Sequence, residues 1–185
     1  MKPILRTKRL ILRFWEQKDE KDLVTYMNDI EVTRYLVPAP HPYKLKDARW
    51  WIAKCTHEVK RNLNRDYNFC IELKSNKRVI GGLGLHDVEK KDGNAEIGYC
   101  LAKEYWKQGL MTEAASALIT FGFKKLKLRR IYAPIFKENK ASQKLVEKLG
   151  FKKEGLLRKH AKSKATGKVH DCYVYGLLKG EWKKK

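Results

Sequence analysis

The chain has 185 residues, of which 43% are hydrophobic and 34% charged, and its 42 basic and 21 acidic side chains give a net charge of +21. The hydrophobic fraction excludes a disordered chain, and the length suits one domain, so residues 1–185 are predicted to form a single domain with a sizeable core. Lys8 and Arg9 interrupt the first apolar run, and no stretch approaches a membrane span. We therefore expect a soluble, cytoplasmic protein that does not bind a membrane.

The strongly basic balance bears on the partners of the protein. A charge of +21 attracts polyanions such as RNA, an anionic membrane surface or a phosphorylated cofactor, and it repels small polycations. The same charge is equally consistent with solubility alone, and the sequence leaves RNA or ribosome association open.

The four cysteines are widely scattered, and none forms a Cys-x-x-Cys pair. This spacing argues against a zinc site and against a redox motif, and we predict no metal. We expect reduced thiols, with Cys70 and Cys100 in apolar strands of the core.

The first part of the chain predicts one strand, two helices and a loop. Thr7–Phe14 is short and rich in β-formers, and Asp19 is a candidate N-cap for a helix that continues to about Asn28. Three prolines make Tyr35–Tyr43 a loop, and a second helix is predicted over Asp47–Arg61.

Three strands follow, over Tyr67–Leu73, Arg78–His86 and Ala95–Leu101. The segments between them are short and contain turn-forming residues, which favours tight hairpins. We therefore expect these strands to be antiparallel neighbours.

The second part begins with an amphipathic helix over about Gly109–Leu126 and a strand over Arg130–Phe136, in which Pro134 indicates a bulge or an unpaired position. Two more elements are strands, Phe151–Arg158 and Val169–Leu178. One further helix lies between the strands Arg130–Phe136 and Phe151–Arg158.

That helix is predicted to begin at Asn139 as its N-cap and to end at Leu149, with Gly150 in the left-handed position that follows a helix. The complete order is β, α, α, β, β, β, α, β, α, β, β. A central strand-helix-strand unit inside a largely antiparallel sheet indicates an α+β, or mixed α/β, fold.

The segment around Gly109 has the features of a phosphate-binding turn. A strand ends near Leu101, a short turn follows, and Gly109 opens a helix whose first amides lack intrahelical partners and carry partial positive charge. No Gly-Lys-Ser/Thr follows, which argues against an NTPase P-loop. An ordinary tight turn has the same pattern, so these residues alone leave both interpretations open.

Three longer strings carry a family resemblance: LRTKRLILRFWEQKDEKDL, AEIGYCLAKEYWKQGLMTEA and ENKASQKLVEKLGFKKEG. In this order they resemble the GNAT acetyltransferases, above all the branch that acetylates the N-termini of ribosomal proteins, and the resemblance covers nearly the whole chain. It implies a GNAT-like fold, in which a central, mostly antiparallel twisted sheet contains two splayed parallel strands and carries about four flanking helices. It also implies acetyl-CoA as the cofactor.

The resemblance places the pantetheine arm of the cofactor between the strands Ala95–Leu101 and Arg130–Phe136. Exposed backbone groups on the first strand would pair with the arm, namely those of Gly98, Tyr99, Cys100 and Leu101. In the family, the Asn-x-x-Ser at the start of the last helix also touches the cofactor, and Asn139 and Ser142 match it. Asn139 suits a helix N-cap equally well, and Ser142 suits a first helical turn.

The family's pyrophosphate motif, Arg/Gln-x-x-Gly-x-Gly/Ala, aligns with residues 106–111. Gly109 matches, Trp106 and Met111 depart from the motif, and Lys107 stands where a glycine is common in this branch. Backbone amides do most of the binding in this motif, and Lys107 would add a cation beside the phosphate. The implied phosphate-binding residues are Lys107, Gln108, Gly109, Leu110, Met111 and Thr112.

Acyl transfer to an amine needs a neutral nucleophile, donors for the carbonyl oxygen and a proton for the leaving thiolate. Glu96 is a candidate base, acting directly or through water, although an alternating strand would place a carboxylate on its polar face in any case. The amide of Tyr99 or Cys100 is a candidate oxyanion donor, and Ser142 is the candidate proton donor to the thiolate. We reject an acyl intermediate on Cys100, because direct transfer is the family pattern and no His/Asp partner can be assigned.

An α-amine, with a pKa of about 7.7–8.0, needs less help from a base than a lysine with a pKa of about 10.4. We therefore expect a protein N-terminus as the acceptor, ribosomal proteins included. A small-molecule amine and a non-catalytic CoA- or RNA-binding protein remain the alternatives, and the oligomeric state is left open, a homodimer included. Candidate walls of the acceptor site are Tyr35, Tyr43, Trp50 and His86, although the aromatic residues suit a core equally.

Overall fold

The computed structural model describes residues 3–60, 66–89 and 91–183. These residues contain eight strands, named β1 to β8 in chain order: Leu5–Arg6, Leu10–Phe14, Tyr67–Leu73, Val79–Glu89, Asn94–Leu101, Arg130–Phe136, Lys152–Lys162 and Val169–Leu178. They also contain five α-helices, named α1 to α5: Glu20–Met27, Ile30–Thr33, Leu45–Lys60, Leu110–Lys124 and Lys140–Lys148.

All eight strands belong to one sheet in the order β1-β2-β3-β4-β5-β6-β8-β7. Each neighbouring pair is antiparallel except β5 and β6, which are parallel and are connected through α4. The mixed α/β class, the antiparallel hairpins and the parallel pair predicted from the sequence are confirmed.

Helices cover both faces of the sheet, so there are two cores. The larger core includes Leu118 and Ile119 of α4, and Ala95, Ile97 and the half-buried Tyr99 of β5 pack into it. The second core lies under α1 and α3 and takes in Cys100, also of β5. Because successive side chains of a strand point to opposite faces, Glu96 and Gly98 lie on the same face as Cys100.

The strand predicted over Thr7–Phe14 corresponds to β2, which begins at Leu10. Thr7 closes a turn, in which its hydroxyl accepts the amide of Leu10 at 3.0 Å and its own amide donates to the Leu10 carbonyl at 3.0 Å. The run Thr7–Phe14 therefore becomes a turn and the strand β2, preceded by the short β1. The helix α2 is an addition to the predicted order, since a single turn is too short to show helical periodicity.

Asp19 holds the position before α1, but its carboxylate makes no capping bond to that helix, contrary to the prediction. Both of its oxygens instead accept from the guanidinium of Arg13 at 2.8 Å, and Arg13 also donates to Glu72 at 2.7 Å. These buried bonds tie β2 and β3 to the start of α1. The sequence predicted a cap for α1, whereas the Asp19 carboxylate pairs with Arg13 and accepts the backbone amide of Glu16 at 2.9 Å.

The other element ends agree closely with expectation. The predicted helix over Gly109–Leu126 is α4, with Gly109 as its N-cap, and Gly150 follows α5 at a φ of 96°. The predicted end of α3 at Arg61 lies outside the described residues. Pro134 causes no bulge, because β6 and β8 stay in register from Arg130 to Phe136. In the part of the chain that the structure describes, no helix is long and apolar enough to cross a membrane.

Candidate active site

The site is centred on a parting between β5 and β6. These strands pair at only three positions, the last of which joins Glu96 and Tyr132. Beyond it, β5 continues to pair with β4 as far as Leu101, and β6 continues to pair with β8 as far as Phe136. The facing edges of the two strands are therefore separated, and Pro134, which has no N–H to donate, lies on the separated part of β6.

The parting leaves one edge of β5 without a strand partner at residues 98–101, but only alternate residues turn their backbone groups to that edge. Ala102 donates to Ile80 of β4, and the same hydrogen-bonded set of pairs includes Cys100 with Gly82 and Gly98 with Gly84. Tyr99 and Leu101 therefore face the open edge, while the predicted exposure of the backbone groups of Gly98 and Cys100 is wrong because these groups point to β4.

Backbone groups at such an edge need partners, and an extended molecule that carries amides can supply them. The carbonyl of Leu101 is an exception, because the indole Nε1 of Trp106 donates to it at 2.7 Å. The expectation that this carbonyl is free is corrected, and Trp106, which departs from the family motif, gains a structural role.

The turn before α4 has the shape of a phosphate cradle. Lys107 has a φ of 60° and Gly109 a φ of 75°, so both lie in the left-handed region that favours glycine. Gly109 offers no side chain to cap α4, which leaves the first helix amides open toward the turn. Leu110 and Met111 point into the core, so only their backbone faces the turn.

Arg9 holds this turn in place, a role that the sequence alone did not reveal. Its Nε donates to Glu113 of α4 at 2.7 Å, and its Nη1 donates to the carbonyl of Gln108 at 3.0 Å. Thr7 also donates to Glu113, at 2.6 Å. Burial alone would raise the pKa of Glu113, but these hydrogen bonds hold it below its ordinary value. The Glu113 carboxylate therefore stays charged and keeps Arg9 beside the turn.

A hydroxyl pair lies where α5 meets β5. The Tyr99 and Ser142 oxygens are 2.6 Å apart, and the Ser142 amide donates to the side chain of Asn139, the N-cap of α5, at 3.1 Å. Burial raises the pKa of Tyr99 to about 12, so the phenol keeps its proton at neutral pH. The sequence pointed to the backbone of Tyr99 and to Ser142, and it did not indicate that the two hydroxyls meet.

Glu96 lies on the opposite face, where β5 leaves β6. Its cross-strand partner on β4 is His86, and its partner on β6 is Tyr132. Burial raises the pKa of Glu96, while the neighbouring His86 lowers it in part. A carboxylate with a raised pKa is a better match for proton transfer near neutral pH than an exposed one.

A cleft of about 680 Å³ opens on this same face, between the loop at Tyr35 and the turn that joins β7 to β8. Tyr35 and His170 belong to its lining, and behind them lies the buried Phe136, whose ring stacks on the His170 ring at 4.4 Å and lies 6.2 Å from the Tyr35 ring. The His170 Nδ1 lies 3.0 Å from a carboxylate oxygen of Glu138. The His170 Nε2 is buried and has no hydrogen-bond partner among the described residues.

Three of the four predicted wall residues do not line this cleft, and one of them, His86, lies on β4 opposite Glu96. Tyr43 is a buried residue of the second core, and its backbone is bonded on both sides by the Asn28 side chain. Trp50 is 61% exposed on α3, with the ammonium of Lys54 6.0 Å from its ring centre. Aromatic residues suit a core, a surface or a binding wall, and the sequence could not distinguish these; only Tyr35 lines the cleft.

The environment of Cys100 does not favour a nucleophilic role. Burial raises the pKa of Cys100, whose sulfur lies 4.0 Å from the Tyr26 hydroxyl, and this favours the neutral thiol over the nucleophilic thiolate. Cys70 is fully buried, as predicted. Among the described residues, no three His, Cys, Asp or Glu side chains come together as a set that could hold a metal ion.

A sheet parted between two parallel strands, with an uncapped helix start beside the parting, defines an acyltransferase architecture. The family model described as the acetyltransferase (GNAT) domain matches residues 9–152. The chain therefore belongs to the GNAT family, and it is an N-acetyltransferase.

Three comparisons place the chain within this family. It is 38% identical to the uncharacterized N-acetyltransferase p20 of Bacillus licheniformis over 180 residues. This aligned region covers 96% of this chain and 97% of p20. It is 37% identical over 104 residues, 56% of each chain, to YdaF of Bacillus subtilis, a candidate ribosomal N-acetyltransferase. The solved structure of RimL, a ribosomal L7/L12 alpha-N-protein acetyltransferase in complex with coenzyme A, has a TM-score of 0.83 at 20% identity, with 95% of this chain and 98% of RimL covered.

Replacing Arg9 should loosen the phosphate turn. We expect Arg9→Ala to raise the dissociation constant for CoA about tenfold, because charge-assisted bonds contribute about 1.5–3 kcal/mol each and the partly exposed side chain retains less than that. Isothermal titration calorimetry with CoA measures the change. Arg158→Ala, an exposed residue of β7, is the matched control. Unchanged CoA affinity in Arg9→Ala would show that Arg9 does not position the turn.

Proposed function

We propose that the protein transfers the acetyl group of acetyl-CoA to the N-terminal α-amine of a protein, ribosomal proteins included. The observation that carries this proposal is the open cleft, which lies on the same face of the sheet as Glu96. Tyr132, Pro134 and Phe136 alternate with core residues and so share that face of β6. The Phe136 ring stacks on His170 of the cleft lining and Tyr132 lies opposite Glu96, so this face of β6 gives an extended chain terminus a path from the cleft to the parting.

The described residues fit acetyl-CoA. The open edge at Tyr99 suits the amide-bearing pantetheine arm, and the amides of 108–112 suit its phosphates. Lys107 and Arg9 add positive charge at the turn. When bound, acetyl-CoA supplies an acetyl thioester whose sulfur leaves as a thiolate.

The residues of this chain provide for the amine and for the carbonyl oxygen. The Glu96 carboxylate draws the ammonium form of the acceptor toward the parting, where a base takes up its proton. The amide of Tyr99 faces the open edge and donates to the carbonyl oxygen as negative charge develops there, whereas the amide of Cys100 faces β4. An α-amine loses its proton more readily than a lysine, so it suits a site with one partly buried carboxylate.

Ser142 and Tyr99 provide the proton for the thiolate. Ser142 donates its hydroxyl proton to the sulfur, and Tyr99 replaces it across the 2.6 Å bond. The raised pKa of Tyr99 keeps this second proton in place at neutral pH. A CoA thiolate is a fair leaving group without assistance, so the expected effect of this pair on the rate is moderate.

The likeness to YdaF and RimL favours a ribosomal acceptor, since both names refer to ribosomal substrates. The surface beside the cleft supports the same acceptor. The edge strand β7 is exposed along most of its length and carries five basic side chains and one acidic side chain. Such a strand attracts ribosomal RNA and brings the cleft close to protein termini on the ribosome.

The hydroxyl pair can be tested by removing each oxygen. We expect Ser142→Ala to lower kcat about tenfold and Tyr99→Phe to lower it by about three- to tenfold, because general-acid effects reach about 100-fold only for poor leaving groups. Steady-state kinetics with acetyl-CoA measures both. The double variant should be no slower than Ser142→Ala, since the two oxygens act in series. Independent, multiplying losses would contradict the proposed proton relay.

The acceptor can be identified by measuring CoA release with three sets of amines at equal concentration. Peptides with a free N-terminus are expected to react at least tenfold faster than the same peptides with a blocked N-terminus and one lysine, because their amines differ by about 2.5 pKa units. Mass spectrometry of the products locates the acetyl group. If small-molecule amines react faster than every peptide, the acceptor proposal is wrong. A polyamine should be poor because the net charge repels it.

Ribosome association should depend on salt and on β7. We expect the affinity for ribosomes to fall steeply between 50 and 200 mM salt, because each phosphate contact releases counterions (about −0.9 per contact in log–log slope). The pair Arg158→Glu and Lys162→Glu should weaken binding and flatten this slope. The pair Lys21→Glu and Lys46→Glu, exposed on α1 and α3, changes the net charge equally and is the control. Equal losses in both pairs would refute a specific role for β7.

A further inference from the structure

The imidazole of His86 lies over two facing glycines on the acceptor face of the sheet. Gly84 of β4 and Gly98 of β5 are directly paired. A Cβ atom at Gly98 would lie 3.1 Å from the His86 Nε2, and one at Gly84 would lie 3.0 Å from its Cε1. At Gly84 the Asn68 side-chain oxygen lies closer still, at 2.7 Å, whereas at Gly98 the ring is the group that an added Cβ would meet, so the His86 Nε2 lies directly above Gly98.

The other nitrogen of this ring faces a carboxylate. The His86 Nδ1 lies 3.8 Å from an oxygen of Asp66, and the second oxygen of Asp66 accepts the backbone amide of Asp87 at 2.9 Å. Burial alone would raise the pKa of Asp66, but His86 and this amide hold it below its ordinary value. Asp66 is thus a fixed, charged carboxylate that can orient the imidazole and balance its positive charge.

Charged groups face His86 from several elements. Asp66 approaches from the segment before β3, Asp87 from β4 itself and Glu96 from β5, and all three are carboxylates. Tyr132 on β6 is coupled to Glu96 and Asp87. Two cations are also nearby. The charge of Lys54 on α3 helps to lower the pKa of Asp66, and the Arg130 guanidinium lies 5.9 Å from the centre of the Tyr132 ring.

His86 and Glu96 serve different points along β5. Glu96 is the last residue of β5 that pairs with β6, and it lies two residues before Gly98, which is about 6.6 Å along a strand. The His86 Nε2 lies 3.1 Å from the Cβ position of Gly98, in the part of β5 that is separated from β6. The imidazole therefore lies over the stretch of β5 along which the thioester is proposed to bind.

We propose that His86 is a catalytic residue whose Nε2 accepts the proton of the attacking amine, with Asp66 as its positioning residue and Glu96 as the charge that stabilises the imidazolium. The inference rests on the proposed acetyl transfer. The amine nitrogen forms a bond to the acetyl carbon, the carbon–sulfur bond breaks, and its electron pair leaves with the sulfur. The amine proton passes to the His86 Nε2, and the thiolate takes the proton of Ser142.

The first test compares pH profiles of kcat/KM with an N-terminal peptide as the acceptor. We expect His86→Gln to lose about 100-fold and to lose one ionisation from the wild-type profile, because general-base catalysis contributes about 100-fold or more. Glu96→Gln and Asp66→Asn should lower the rate but keep that ionisation. His160→Gln, an exposed histidine of β7, should leave the profile unchanged. A profile that changes in Glu96→Gln and not in His86→Gln would overturn the proposal in favour of Glu96.

Chemical rescue separates a catalytic loss from a misfolded variant. Added imidazole should raise the rate of His86→Ala at least tenfold. The CoA affinity of this variant, measured by calorimetry, should stay within about twofold of wild type. A variant that binds CoA normally and gains nothing from imidazole would refute the catalytic role.

A second variant tests whether the His86 ring needs the space above Gly98. Gly98→Ala should lower the rate about tenfold by displacing the ring, since the added methyl meets no group other than His86 within 4 Å. In the His86→Gln variant, Gly98→Ala should lower the rate by less than twofold. If Gly98→Ala lowers the rate equally in the wild type and in His86→Gln, displacement of the imidazole is refuted. If the wild-type protein acetylates no amine at all, the proposed function fails; if it is active and only these variant results differ, the inference about His86 fails alone.

Discussion

The parting of β5 from β6 is the constraint on which the rest of the site depends. The two parallel strands stay together for three residue pairs, up to Glu96 and Tyr132, and each then follows its other neighbour. Unpaired backbone is costly when it is buried, so such an edge persists because something else can pair with it. Pro134 cannot donate across the gap, which removes one way of closing it. The same divergence lets α4 begin close to the gap, with Gly109 as its N-cap.

Strand alternation at this parting divides the proposed chemistry between two faces of the sheet. Tyr99 points to the face of α4 and α5, where its hydroxyl meets Ser142. Glu96 and Gly98 point to the other face, where the cleft opens and His86 lies. A thioester held in the gap is then reached by a proton donor from one side and by an amine from the other. The fold keeps the two proton transfers apart without a separate domain or a moving loop.

The sequence predicted the parts of this site that depend on local pattern. Gly109 at the start of α4 and Asn139 at the start of α5 follow from helix-capping rules, and the structure has both. It could not predict contacts between residues far apart in the chain. Arg9 holds a turn about a hundred residues later, and Asp19 turns away from its helix to an ion pair. In both cases the tertiary structure, and not a helix-capping rule, determines the partner of the charged side chain.

The placement of charge bears on which amines this protein can use. The net charge of +21 repels a free cation at long range, yet Asp66, Asp87 and Glu96 gather on the acceptor face. Salt limits the long-range field to roughly 8 Å at physiological ionic strength, while the partly buried carboxylates are screened much less. A small cation therefore meets repulsion first and attraction only at the end. An α-ammonium carried on a polyanionic particle meets attraction at both stages, because the basic surface binds the particle and the carboxylates receive the terminus. This ordering of fields favours a terminus presented on a ribosome over a free polyamine.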